Sequence, residues 1–195
     1  VETALADAGE VSRAAALAQR YAPNLPPAYR ANTSPEEAAQ DILEIHHLDG
    51  EDDRSVRLFQ LPSDGPTRLR LKLYSKHAIA LSDAVPALEN FGFVAIDENS
   101  AAIDGGELGH VQMFVLDLPQ GSEASGVMKR ADVVEEAIAR VLEGRAENDR
   151  FNALIVGAML DPDAAVLLRA FYRYLRQGGS NYGLTTFVEA LRRES

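Results

Sequence analysis

The chain has 195 residues, of which 46% are hydrophobic, and this is enough to bury a core in one large or two small domains and excludes disordered and collagen-like classes. It has no cysteine, which excludes disulfides, thiolate metal sites and cysteine nucleophiles and is consistent with a reducing, cytoplasmic location. A net charge of −11 argues against nucleic-acid binding, and no apolar run has the length of a membrane span.

The first residues are rich in alanine and predict a helix from about Glu10 to Tyr21. Pro23, Pro26 and Pro27 then predict an extended linker, because each proline also restricts the residue before it. Residues 1–33 are therefore interpreted as a helical lead-in with a proline-rich linker. Because the chain begins with Val1 and not with Met, we expect it to be a processed or excised piece of a longer protein.

Ser34 begins the next element, with proline at the following position and Glu37 completing a capping box. This pattern predicts a helix to about Leu48, with Ala38, Ile42 and Ile45 on its buried side. A charged turn leads to a strand over 56–61, and the turn 62–66 joins it to a strand over 69–74. The two strands are predicted to pair as a hairpin.

The stretch 69–98 is interpreted as strand, capped helix and strand. Leucines alternate with Arg70, Lys72 and Tyr74, the pattern of a half-buried strand with a polar outer face. Ser82 or Asp83 is predicted to cap a helix that ends near Gly92, and a strand resumes at 94. A loop over 99–109 is expected to precede a strand at 110–118 that is apolar on both faces.

This order of elements predicts an α+β fold, in which residues 34–119 form a permuted ferredoxin-like, four-stranded antiparallel sheet with helices on one face. Residues 120–195 show helical periodicity throughout and predict a bundle of about four helices. The acidic residues support a boundary near 119–125, since residues 35–119 contain 16 Asp and Glu against 6 Lys and Arg.

Five blocks of this sequence resemble the long bacterial NAD-specific glutamate dehydrogenases, in the region before their catalytic domain. They occur in family order over most of residues 26–180, and they are DILEIHHLDG (41–50), LRLKLY (69–74), LSDAVPALENFGFVAIDE (81–98), GRAENDRFNALI (144–155) and LLRAFYRYLRQGG (167–179).

The resemblance implies an ACT-like sheet domain and a helical motif within an enzyme that deaminates L-glutamate with NAD. It also implies a homo-oligomer, contact with the catalytic domain of the same chain and an amino-acid effector. Two departures bear on ligand binding: Ser75 to Ala78 fill a turn where the family often has glycine, and 111–115 lack the expected aromatic pattern.

No catalytic constellation, cofactor motif or metal site is predicted within the chain. No G-x-G-x-x-G follows a strand and opens a helix, and the glycines at 105, 106 and 109 are interpreted as a turn. His46 and His47 are adjacent on a helix and point about 100° apart, so they do not converge on one metal.

An effector, if one binds, is expected at the strand-to-helix turn. The candidate residues are Ser75, Lys76, His77, Ser82 and Asp83. The alternative is that Ser82 only caps its helix and Lys76 is solvated.

A second set of candidates is assigned to interfaces: Met113, Val115, Arg169, Arg173 and Arg176. The three arginines follow helical spacing and suggest either a phosphate clamp or ion pairs with acidic surface, of which we favour the second. The chain is therefore interpreted as a non-catalytic regulatory or oligomerisation segment, and the alternative is a purely structural interaction module that binds no small molecule.

Overall fold

The structure is a computed structural model that describes residues 1–10, 13–119 and 121–193. The chain forms two compact units, and each unit contains part of every strand. The first unit comprises 1–56, 72–79 and 98–113, and the second comprises 57–71, 80–97 and 114–195.

The helices and strands alternate along the chain as the sequence predicts. The α-helices are α1 (Glu2–Leu5), α2 (Ala14–Tyr21), α3 (Pro27–Asn32), α4 (Pro35–His46), α5 (Leu81–Asn90), α6 (Ala124–Met128), α7 (Ala131–Leu142), α8 (Ala153–Gly157), α9 (Pro162–Gln177) and α10 (Leu184–Arg193). The strands are β1 (Arg54–Phe59), β2 (Arg68–Ser75), β3 (Val94–Ile103) and β4 (Gly109–Asp117).

The four strands form one antiparallel sheet in the order β1-β2-β4-β3. This order confirms the permuted ferredoxin-like arrangement and the hairpin of β1 with β2. The loop predicted at 99–109 is wrong in its first half, because β3 continues to Ile103. The turn follows at Asp104–Gly106, where Gly105 and Gly106 take φ of 64° and 106°, a region that glycine enters readily.

The N-terminal segment differs from its prediction in two places. A π-helical turn, Ala6–Glu10, stands where the first helix was expected to begin, α2 begins at Ala14, and residues 11 and 12 lie outside the described residues. The extended linker is wrong: Ala22–Asn24 form a 3₁₀ turn and Pro27–Asn32 form α3. Proline at the first helical positions is compatible with a helix, because the N–H it lacks would have no partner there.

In the first unit, the helices before the sheet bury a continuous apolar core. Its buried members are Leu5, Ala14, Leu17, Tyr21, Leu25, Ala38, Ala39, Ile42, Ile45, Leu48, Tyr74, Ile103 and Val111. This confirms the buried side of α4. The polar outer face expected for the 69–74 strand is wrong, since Lys72 and Tyr74 are almost fully buried. The predicted alternation of side chains in this strand is correct. The helices before the sheet cover the side of the strand that was predicted to face solvent.

The start of α4 forms half of the predicted capping box. Ser34 Oγ accepts a hydrogen bond from the Glu37 backbone N–H at 3.1 Å, which confirms the N-cap. The Glu37 carboxylate does not complete the box, because it forms an ion pair with Lys72 Nζ at 2.6 Å. Glu37 therefore has a long-range role instead of a local one.

In the second unit, α5 contacts α7, the second helix after β4. Gly92 ends the α5 segment with a φ of 90°, as predicted. Glu135 on α7 accepts a hydrogen bond from the backbone N–H of Leu58 at 2.6 Å. Because β1 is an edge strand, this contact covers a backbone donor that would otherwise be open to pairing with another chain.

The C-terminal helices of the second unit pack around Phe151, Leu154 and Val188, which are buried. The ring centroids of Tyr172 and Phe187 lie 5.1 Å apart. They lie 5.7 and 6.1 Å, respectively, from the ring centroid of Phe151. The predicted helices over 120–195 are present, with the short α6 in addition. None of the helices in the described ranges has the length and hydrophobicity needed to cross a bilayer.

Candidate functional site

A buried ionic cluster joins α4 to β2 within the first unit. Lys72 Nζ lies 2.6 Å from Asp41 Oδ2 and 2.6 Å from Glu37 Oε1. The Lys72 and Asp41 side chains are 3% and 1% exposed, whereas that of Glu37 is 31% exposed. The ammonium is thus buried between two carboxylates, a pairing that offsets the cost of removing these charges from water.

Two tyrosines complete the cluster through Asp41. The Tyr74 hydroxyl donates to Asp41 Oδ1 at 2.8 Å, and the Tyr29 hydroxyl donates to Asp41 Oδ2 at 2.5 Å. Burial and the neighbouring Asp41 carboxylate raise the pKa of Tyr29 far above its ordinary value, because both disfavour a phenolate. Tyr29 therefore acts as a neutral hydrogen-bond donor at any physiological pH.

A cavity of about 320 Å³ lies beside this cluster, also within the first unit. Tyr29, Glu37 and Lys72 contribute to its wall, so three members of the cluster face it. The other residues that line it are Pro26, Ala28, Asn32, Thr33, Asn99, Ser100, Ala101, Ala102, Val111 and Met113. One side of the cavity therefore comes from α3 and the start of α4, and the other from β2, β3 and β4.

Three of the predicted effector-binding residues lie in the first unit. Ser75 is fully buried, Lys76 Nζ is 3.5 Å from the Ile45 carbonyl oxygen, and His77 forms an exposed pair with Glu51 at 2.6 Å. Ser75 Oγ has no hydrogen-bond partner among the described residues. Of the three, only Ser75 offers an unused polar atom in a buried position.

Gln112 on β4 is a second buried residue with an unused polar atom near this turn. Its side-chain N–H donates to the Ile79 carbonyl oxygen at 3.1 Å, and this bond fixes the orientation of the amide. Its Oε1 has no partner among the described residues. The aromatic pattern missing from β4 is thus replaced at this position by a polar side chain with an open acceptor.

The remaining two effector candidates, Ser82 and Asp83, lie in the second unit and are exposed. The structure places Ala80 at the N-cap of α5, with no side-chain cap, so the capping role predicted for Ser82 or Asp83 is wrong. Both residues lie inside the first turn of the helix.

The arginines of α9 do not behave as one basic face. Arg169 is 4% exposed and binds both Asp149 oxygens, at 2.7 and 2.9 Å, and Asn152 Oδ1 at 3.0 Å. Arg173 is exposed and pairs with Glu147. Arg176 donates to the Ser180 carbonyl oxygen at 2.9 Å. Arg169 and Arg173 thus pair with acidic residues of the same helical region.

The two sheet residues assigned to interfaces are only partly exposed. Met113 lines the cavity, and Val115 is half-buried. His46 and His47 have ring centroids 5.9 Å apart. Across the ranges that the structure describes, no group of three or more His, Asp or Glu side chains is arranged to hold a metal ion.

Sequence reasoning missed Asp41, Lys72 and Tyr29 as site residues. One signal was available for Asp41, since it stands between Ala38 and Ile45 on the buried side of α4. An acidic residue on an apolar stripe requires a buried partner. The sequence does not show that the partner is Lys72, 31 residues away.

Comparison with known proteins identifies three consecutive regions of one family. Residues 4–48 match the family model described as glutamate dehydrogenase, helical motif 2. Residues 53–129 match the ACT3 domain, and residues 146–195 match helical motif 3. Helix α4 falls within the motif 2 match, whereas its sequence pattern predicts that it belongs with the sheet. The predicted domain boundaries remain predictions.

Relatives named NAD-specific glutamate dehydrogenase show the same correspondence. The protein of Halomonas elongata is 33% identical over 83% of this chain, and that of Mycobacterium tuberculosis is 33% identical over 98% of it. The Pseudomonas aeruginosa protein is 28% identical over 85%. The chain spans only 10–12% of the length of these relatives. The chain therefore belongs to the family of NAD-specific glutamate dehydrogenases, of which it carries the ACT3 domain with regions of helical motifs 2 and 3.

Proposed function

We propose that this chain is a non-catalytic, regulatory segment of an NAD-dependent glutamate dehydrogenase and that it binds a small effector. The parent reaction would convert L-glutamate and NAD to 2-oxoglutarate, ammonium and NADH in the cytoplasm, with NAD held by the catalytic domain of the same chain. The observation that carries the proposal is the cavity beside the buried cluster of Lys72, Asp41 and Glu37.

The position of the cavity supports a regulatory role. Its walls come from the region that matches helical motif 2 and from the region that matches the ACT3 domain. A ligand that contacts both walls would stabilise the arrangement in which they stand together. It would shift the parent enzyme between two states by its difference in affinity for them, which is the requirement for allosteric control.

A direct test is calorimetric titration of the 195-residue chain with a panel of amino acids. The blocking variant is Ala28→Phe, since Ala28 lines the cavity on an exposed part of α3. Ala170→Phe, on an exposed position of α9, is the matched control. We expect at least one amino acid to bind to the wild type and the control but not to the blocked variant, and to change the glutamate kinetics of the parent enzyme.

The second candidate function is a purely structural module that binds no small molecule and connects parts of a homo-oligomer or contacts the catalytic domain. The observation that favours it is the exposed apolar side of α9, where Leu167, Phe171 and Tyr174 are 70%, 53% and 71% exposed. If no amino acid binds and the kinetics of the parent do not respond, the regulatory proposal is wrong. Loss of assembly in a Leu167→Ser, Phe171→Ser parent would then support the structural role.

A further inference from the structure

The cavity in the first unit is large enough for a small metabolite only. Its 320 Å³ is near the lower end of ligand pockets and corresponds to the volume of about ten water molecules. A dinucleotide exceeds this volume. The ligand is therefore of the size of an amino acid or a short amine.

The fixed charges beside the cavity leave an excess of negative charge. Asp41 and Glu37 are two carboxylates, whereas Lys72 is one ammonium that already contacts both. Tyr29 adds no compensating charge, since its hydroxyl is neutral. The positive charge of Lys72 is thus balanced within the protein, and an anionic group placed against this wall would be repelled.

Glu37 differs from Asp41 in how accessible its carboxylate is to a ligand. Both Asp41 oxygens accept hydrogen bonds from tyrosine hydroxyls, and one of them also contacts Lys72. Glu37 contacts Lys72 through Oε1, and its side chain is 31% exposed, compared with 1% for Asp41. Glu37 lines the cavity and is partly exposed there, so a ligand can reach it.

We infer that the cavity selects ligands that carry a protonated amine and that Glu37 is the residue that binds this amine. The inference rests on the proposed function and specifies the chemistry of its effector. A carboxylate–ammonium hydrogen bond is stronger than a neutral one, and partial burial strengthens it further.

The rest of the cavity wall suits the uncharged part of such a ligand. Neutral polar side chains line it at Asn32, Thr33, Asn99 and Ser100, and these can bind a carboxylate or a hydroxyl group by hydrogen bonds. Val111 and Met113 supply apolar contact. This combination favours a small α-amino acid.

The test uses matched probes that differ only at the amine. L-valine is compared with L-2-hydroxyisovalerate, and isobutylamine with isobutanol, by calorimetric titration of the 195-residue chain. We expect each amine to bind at least about tenfold more tightly than its hydroxyl counterpart, as one charge-assisted hydrogen bond provides.

Two substitutions locate the effect. Glu37→Gln retains an oxygen acceptor for Lys72 and is expected to weaken amine binding about tenfold or more. Glu36→Gln, on the preceding and exposed residue of the same helix turn, is expected to leave binding unchanged. Circular dichroism with thermal melting establishes that both variants are folded.

The outcomes separate this inference from the proposed function. The amine selectivity would be overturned if the hydroxyl probes bound as tightly as the amines or more tightly, or if Glu37→Gln bound the amines with full affinity. If Ala28→Phe abolished binding in the same experiments, the proposal that the cavity binds an effector would remain intact. No binding of any probe or amino acid, and no kinetic response of the parent, would overturn both.

Discussion

Replacement of Lys72 by methionine is expected to destabilise the first unit strongly. Methionine has an unbranched side chain of similar length, so it fills most of the same space without the ammonium. The substitution leaves Asp41, 1% exposed, as a buried carboxylate without its cation. Glu37 loses the same partner but is 31% exposed and returns to water at little cost. The expected loss therefore comes mainly from Asp41.

The magnitude follows from what remains around Asp41. Removal of one partner from a buried ion pair costs about 3–5 kcal/mol. The hydroxyls of Tyr29 and Tyr74 still donate to the Asp41 carboxylate and reduce this cost. We therefore expect a decrease of about 3 kcal/mol in the free energy of unfolding, at the lower end of that range. The measurement is urea denaturation at pH 7. We expect the slope of the free energy of unfolding against urea concentration to be the same as in the wild type.

Two further variants show whether the loss arises from buried charge. Arg140→Gln breaks the exposed pair with Glu136 on α7 and is expected to cost less than about 0.5 kcal/mol. In the Lys72→Met, Asp41→Asn double variant, a neutral amide replaces the buried carboxylate. We expect this variant to be more stable, by about 1 kcal/mol or more, than the sum of the two single losses in the free energy of unfolding predicts. This account of the cluster would be refuted if the free energy of unfolding of Lys72→Met lay within about 1 kcal/mol of the wild-type value.

Three other predictions use the same unfolding assay. Ser34→Ala removes the N-cap hydrogen bond of α4 and should cost about 1 kcal/mol; an unchanged stability would contradict the capping role. Arg169→Lys loses the two-point contact with Asp149 and should cost about 2 kcal/mol, whereas Arg173→Lys on the exposed side of α9 should have a smaller effect; equal effects would contradict the buried pairing. Burial lowers the pKa of His110, so the folded state prefers the neutral ring, and the unfolded state takes up a proton first as the pH falls below about 6.5. Stability should therefore decrease as the pH falls through this window, and His110→Gln should show a shallower decrease; identical pH profiles would contradict the assignment.

The sequence by itself determined the strands, most of the helices and the order of the sheet. These depend on short-range signals: the alternation in 69–74, the turn at 62–66 and the proline-led start of α4. The short turn between the first two strands predicts that they pair in antiparallel, and the order helix, strand, strand, helix, strand, strand along the chain predicts the permuted ferredoxin arrangement. The same blocks of sequence identified the family.

Only the tertiary structure decided which polar residues are buried and what they bind. Lys72 alternates with leucines, as an outward-facing residue would, and it is buried because α4 packs over that side of β2. Glu37 has the spacing of a capping box, yet its carboxylate pairs with Lys72. Hydrogen bonds within one turn of a helix depend on neighbouring residues, whereas ion pairs and cavities depend on segments that meet only after folding. For this reason the residues that line the cavity became evident from the fold and not from their spacing.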